Sequence, residues 1–138
     1  MEPDMGHRED MLELIRRAYA ARGGGDVEGL VAAFHPEAVF TLVGDKGALE
    51  LAGSVQGHPT LREAFGQFIA NFDFVEREIL SELVEGQRAT VQSRLVVRYR
   101  PSGKTYRTDV VDLFRFQDGK IVELTEFTDT ALIKAMIS

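Results

Sequence analysis

Three dipeptides, Glu85-Gly86, Ser102-Gly103 and Asp118-Gly119, punctuate the second half of the chain and constrain its fold more than any other feature. Each is a hairpin-turn pair whose glycine reaches positive φ without steric cost. They separate four long runs, about 74–84, 87–101, 104–117 and 120–129, rich in β-branched and aromatic residues. Successive hairpins of this kind make an antiparallel meander, with one face to bury and one to leave exposed. The cover for the buried face must come from the first half.

That half reads as three helices. Between Glu9 and Arg22, Met11, Leu14, Ile15 and Ala18 form one apolar stripe, and Gly23-Gly24-Gly25 ends it. Asp26 is an N-cap for a short helix over Val27–Phe34, which Pro36 breaks. Ala38–Val43 is strand-like; Gly44–Gly57 reads as a long loop or flap in which Leu49-Glu50-Leu51 forms a short strand. Thr60 and Glu63 have capping-box spacing after Pro59, and Leu61, Phe65, Phe68, Ile69 and Phe72 then repeat at helical spacing. Helices followed by a meander give an α+β domain with the helices on one sheet face. The polar stretch 1–8 and residues 132–138 read as terminal extensions of a single domain over 9–131.

Composition removes whole classes of function. With 138 residues there is one core to build. The absence of cysteine excludes disulfide scaffolds, zinc ribbons and thiol nucleophiles. A net charge of −6 argues against nucleic acid as a partner. No secretory leader is recognisable and no apolar run suits a membrane span, so a cytoplasmic protein is expected. His7, His35 and His58 lack metal-ligand spacing and read as surface or capping residues, so no metal is expected.

Hairpin register decides which side chains share the enclosed face. A three-residue loop Gln117-Asp118-Gly119 pairs Asp112 with Leu124 and Val110 with Glu126, leaving Asp112 and Glu126 diagonal neighbours on one face. A two-residue loop would send Glu126 to the other face. A two-residue loop at Ser102-Gly103 pairs Pro101 with Lys104 and turns Ser93, Leu95, Val97 and Tyr99 inward, with Arg94, Arg98 and Arg100 outward. A three-residue loop beginning at Pro101 would reverse this strand; the cost of burying unpaired guanidinium groups favours the first. The outer face then carries Val96, Val111, Leu113 and Phe127 among Arg94, Arg98, Arg107, Asp109 and Arg115, the pattern of a homodimer interface.

On the inner face Asp112, within VVDLFRF, is a carboxylate in an apolar setting, which must find a partner or hold a proton. Glu126, within LTEFTD, is a second, and two acids in unlike surroundings can divide acid and base roles. Purely structural readings remain open: an aspartate bonded to a tyrosine or helix end, and a strand-end glutamate reaching solvent. Tyr19, Tyr99 and Tyr106 are candidate phenol donors.

Three segments, GDVEGLVAAFHPEAVF, GHPTLREAF and VVDLFRFQDGKIVELTEFTD, resemble in order and spacing the NTF2-like superfamily, in particular its SnoaL-like and ketosteroid-isomerase-like members. The resemblance runs from about residue 11 to 131. It implies a cone-shaped α+β fold, three N-terminal helices packed on a curved antiparallel sheet. Asp112 matches the steroid isomerases' protonated oxyanion-hole aspartate. Their proton-shuttling base falls at Leu42 and their helix-one tyrosine at Ala18, with Tyr19 one step on. Glu126 matches the general base of SnoaL-like polyketide cyclases and limonene-epoxide-hydrolase-like enzymes; the latter's Arg-x-Asp element falls near Arg94-Leu95-Val96, without its aspartate.

Two functions follow as expectations. One is a cofactor-free isomerase or cyclase performing proton transfer on a hydrophobic carbonyl or polycyclic compound. Glu126 would be the base, Asp112 the enolate stabiliser and Tyr19 a phenol donor, in a pocket of Phe40, Leu42, Leu95, Val97, Tyr99, Val110, Phe114 and Leu124. The other is a non-catalytic ligand-binding or dimeric scaffold using the same pocket.

Overall fold

In the computed structural model, which describes residues 3–138, the three turns fall where the sequence puts them, and the runs between them build one sheet. The elements are α1 (Pro3–Gly23), α2 (Val27–Ala32), β1 (Phe34–Leu42), β2 (Gly53–Gln56), α3 (His58–Asn71), β3 (Phe72–Glu85), β4 (Arg88–Tyr99), β5 (Lys104–Gln117), β6 (Lys120–Phe127) and α4 (Thr130–Ile137). Strand order is β2-β1-β6-β5-β4-β3 in a curved, unclosed sheet. Every pairing is antiparallel except β1 with β6, so the sheet is mixed at one junction. No helix among the described residues is long and apolar enough to cross a membrane.

The helices form where their apolar stripes demand. α1 buries Met11, Leu12, Ile15 and Ala18, and begins well before Glu9, within the stretch expected to be loose. It ends at the glycine triplet, where Gly25 takes a φ of 72°. Asp26 caps α2 by accepting from the Gly29 N–H. α3 buries Leu61, Phe65 and Ile69, and the Phe65 ring packs at steep angles between Phe34 and Phe40 with ring centroids 5.2 and 5.4 Å away. Its N-cap is Gly57 and not Thr60: Gly57 turns at a φ of 87°, and Pro59 occupies a first-turn position that needs no N–H partner.

The flap is also built differently from expectation. Residues 49–51 are a turn, and the strand of this segment is β2, which pairs with β1. Lys46 Nζ donates to the carbonyls of Glu50 and Ala52, occupying acceptors a strand there would need. A fourth helix follows β6. Asp129 caps α4 by accepting from the Leu132 N–H, and Met136 is buried.

Two hairpins depart from the expected register, with different consequences. The turn between β4 and β5 is four residues long, pairing Tyr99 with Lys104. Relative to expectation the ladder slips by two, so every side chain keeps its face and Arg94 and Arg98 stay outside. The turn between β5 and β6 is the two-residue Asp118-Gly119, with φ of 54° and 73°. Alone it would turn Glu126 outward. A bulge at Val122, between the pairs Phe116–Ile121 and Arg115–Glu123, takes up one residue and restores the face. Asp112 therefore stands directly opposite Glu126 rather than Leu124.

The cap of α2 gives a test of local stability. Asp26→Ala should cost about 1 kcal/mol, read as a lowered urea midpoint at unchanged slope.

Candidate functional site

The inner wall of the sheet meets α1, α3 and α4 around a cavity of about 110 Å³. That is comparable in scale with an apolar cavity of roughly 150 Å³ that accommodates benzene. Phe40, Leu42, Leu95, Val97, Val110, Phe114 and Leu124 line it, together with Tyr19, Asp112 and Glu126. Tyr99 does not. It lies at the end of β4 against the Phe72 ring, with centroids 5.2 Å apart. Phe68 and Phe74, and Ile133 and Met136 of α4, complete the apolar wall.

Asp112 is wholly buried at 0% exposure. The Tyr19 hydroxyl donates to its Oδ2 at 2.6 Å, and Arg77 Nη1 stands 3.9 Å from the same oxygen while donating to Ser93 Oγ at 2.8 Å. The Arg77 guanidinium lies over the Tyr19 ring, 3.5 Å from its centroid. Burial, followed by the neighbouring Asp112 carboxylate, holds the Tyr19 hydroxyl far above its usual range, so it stays a donor.

The other oxygen, Asp112 Oδ1, is buried and has no partner if both carboxyls are ionised. Glu126 answers that. Its carboxyl lines the cavity, keeping some accessible surface there although protein surrounds it. Burial first, and then Asp112, raise its affinity for a proton well above the carboxylate range, and a hydrogen bond to Asp112 adds to the effect. A neutral Glu126 donating to Asp112 satisfies the orphan oxygen. In that arrangement a single negative charge stands beside Tyr19 and Arg77.

Two arginines of the cavity escape the sequence expectations. Arg22 extends the stripe Met11, Ile15, Ala18 by one further turn, a spacing that was available to find it. Its Nη2 donates to the carbonyls of Phe72 at 2.9 Å and Phe68 at 3.4 Å, and its guanidinium lies 3.7 Å from the Phe74 centroid. Burial lowers it to about 10, so it remains charged at neutral pH. Arg77 had no such signal. A bulge at Val75 on β3 lets Phe74, opposite Val97, and Arg77, opposite Leu95, both face inward although three positions apart.

The histidines serve local structure: the His35 ring accepts from the Glu37 N–H, His58 Nε2 lies 2.8 Å from the Phe34 carbonyl, and His7 is exposed. Among the described residues no three His, Asp or Glu side chains converge as metal ligands.

The SnoaL-like domain profile matches residues 15–124. No curated protein matches the chain. Among solved structures it is similar to a candidate isomerase from Bacillus subtilis, at 13% identity and a TM-score of 0.85, covering 95% of this chain and 94% of that one. A candidate SnoaL-like polyketide cyclase from Jannaschia sp. CCS1 shares 20% identity at a TM-score of 0.78, with 94% and 92% covered. An LEH-like epoxide hydrolase from M. tuberculosis shares 15% identity at 0.74, with 94% and 90% covered.

The titration of Glu126 ties this geometry to stability. A carboxyl that binds its proton more tightly when folded adds stability at low pH. That contribution fades as pH rises from about 4.5 toward the folded group's own titration point. Glu126→Gln keeps a donor toward Asp112 and removes the titration. Urea midpoints taken from pH 5 to pH 8 should fall less steeply in the variant than in the parent; parallel curves would contradict a raised Glu126.

Proposed function

We propose, on the premise that this chain belongs to the SnoaL-like domain family, that it is a cofactor-free enzyme transferring a proton on a small hydrophobic carbonyl compound. The observation that carries this reading is the pair of facing carboxyls, Asp112 and Glu126, at the wall of an apolar cavity, with Glu126 held toward its protonated form by burial and by Asp112. Facing carboxyls that can pass a proton between them let the one at the cavity, Glu126, give a proton in one step and take one in another, as acid–base chemistry requires.

Accessibility supports a division of labour. Glu126 reaches the cavity, so it is the group that touches substrate; as the resting proton carrier it donates to the carbonyl oxygen. Asp112 has no exposed surface and is a positioning residue. It accepts the shared proton when Glu126 must act as base, and Tyr19 and Arg77 steady the charge that results. This moves the oxyanion-stabilising role from Asp112 to Glu126. A cavity of about 110 Å³ favours a single ring over a polycyclic body at the reacting end.

The outer sheet face supports homodimerisation as a further part of the proposal. Leu83, Leu113 and Phe127 are exposed at 69%, 38% and 44%, with Leu83 and Leu113 in one cross-strand row through Thr90. Ion pairs Arg94–Asp109 and Arg115–Glu123 border them. The double variant L113K/F127K should sediment as a monomer where the parent sediments as a dimer.

For the chemistry, one-ring β,γ-unsaturated ketones such as 3-cyclohexen-1-one can be followed in D2O by NMR for α-C–H exchange. Catalysed exchange is expected, slowed ~100-fold or more by Glu126→Gln. Binding of such ketones without exchange above buffer would make carriage the function.

A further inference from the structure

Arg22 and Arg77 both line the cavity, and they differ in what their guanidiniums meet there. Arg77 is accounted for by Ser93, by the Tyr19 ring and by its approach to Asp112. Arg22 is not. Its Nη2 closes the end of α3 on the Phe68 and Phe72 carbonyls, but among the described residues it forms no ion pair, and its Nε and Nη1 make no hydrogen bond. A helix end can be closed by a donor without placing a guanidinium against the face of Phe74 inside an apolar cavity. Glu126 and Asp73 act on this charge only through space, without an ion pair, and it shares the cavity with a like charge from Arg77.

A second polar group of the same cavity is left open. Thr128, two residues beyond Glu126, lines it with a buried Oγ1 that has no hydrogen-bond partner. An unpartnered hydroxyl and the free edge of a guanidinium are both donors, and the acceptor they call for is an anionic oxygen. The apolar wall and the volume favour a single ring as the body carrying that oxygen.

We infer that the ligand of this cavity is a one-ring organic monoanion whose oxyanion is held by Arg22 and Thr128 while its reacting carbon faces Glu126. This rests on the proton-transfer reading and narrows its substrate class. Arg22 then selects the anionic compound over neutral isosteres and fixes which carbon meets Glu126. The oxyanion is either a carboxylate or an ionised enol, and the two are separable by experiment.

Binding of benzoate, tropolonate and the neutral benzamide, measured calorimetrically at pH 8, tests this directly. At least one of the anions should bind about tenfold or more tightly than benzamide, as expected of a charge-assisted hydrogen bond from the guanidinium. Benzoate alone identifies the carboxylate, tropolonate alone the enolate. The preference should vanish in Arg22→Gln and persist in part in Arg22→Lys. Thr128→Val, which leaves the end of α3 untouched, should weaken anion binding without changing that of benzamide. Benzamide binding as tightly as both anions, or a preference unchanged in a folded Arg22→Gln, would overturn the inference and leave proton transfer on neutral ketones standing. Failure of all three compounds and of the one-ring ketones to bind would overturn both.

Discussion

A carboxylate with no exposed surface must be compensated on every side, and the inner wall of this cone is organised around that of Asp112. Tyr19 reaches it from α1, Arg77 from β3 and Glu126 from β6, so one buried group draws three separate elements to a common point. Removing any partner would strand charge or a hydrogen-bonding group in a medium that cannot hydrate it. The docking angle of α1 on the sheet is thereby tied to chemistry as well as to packing. Met11, Ile15 and Ala18 supply the apolar contact, and Tyr19 fixes the rotation of the helix about its axis.

The outer face obeys a different rule. Arg94, Arg98, Arg100 and Arg115 each meet an aspartate or glutamate across the ladder, in water-exposed pairs that contribute little to folding. The protein thus uses arginine in two ways. Outside, it solubilises and frames an apolar patch. Inside, two guanidiniums lie against the rings of Phe74 and Tyr19, where desolvation makes every neighbouring charge felt.

Much of this was readable from the sequence because strands and helices impose a period. The turn dipeptides located four strands, the stripe on α1 located its buried face, and the apolar cavity wall followed from alternation, apart from Tyr99. A slip of two residues at the turn after Tyr99 was harmless for the same reason: an even shift preserves every face. The unreadable part is parity. A two-residue turn followed by a bulge places Glu126 on the same face as a three-residue turn does, so its face was inferred correctly through the wrong partner. At Val75 no turn signal marks the bulge, and alternation alone gives no reason to turn Arg77 inward. Arg22 was legible as the next turn of an apolar stripe, but a charged residue in that position is easily assigned to solvent. α4 lay beyond the last turn signal, and its packing against the cavity is a tertiary fact.

The bulges at Val75 and Val122 have a consequence for how such a cone can change over generations. Each is a single residue without a partner in the ladder. Deleting Val75 alone would join Phe74 to Glu76 in regular alternation with Arg77 still opposite Leu95, and deleting Val122 would leave Glu126 opposite Asp112. What such a deletion removes is the bend and extra twist that a bulge gives its strand. The curvature of the wall, and with it the room in the cavity, can therefore change at these two codons while the set of inward-facing side chains stays as it is.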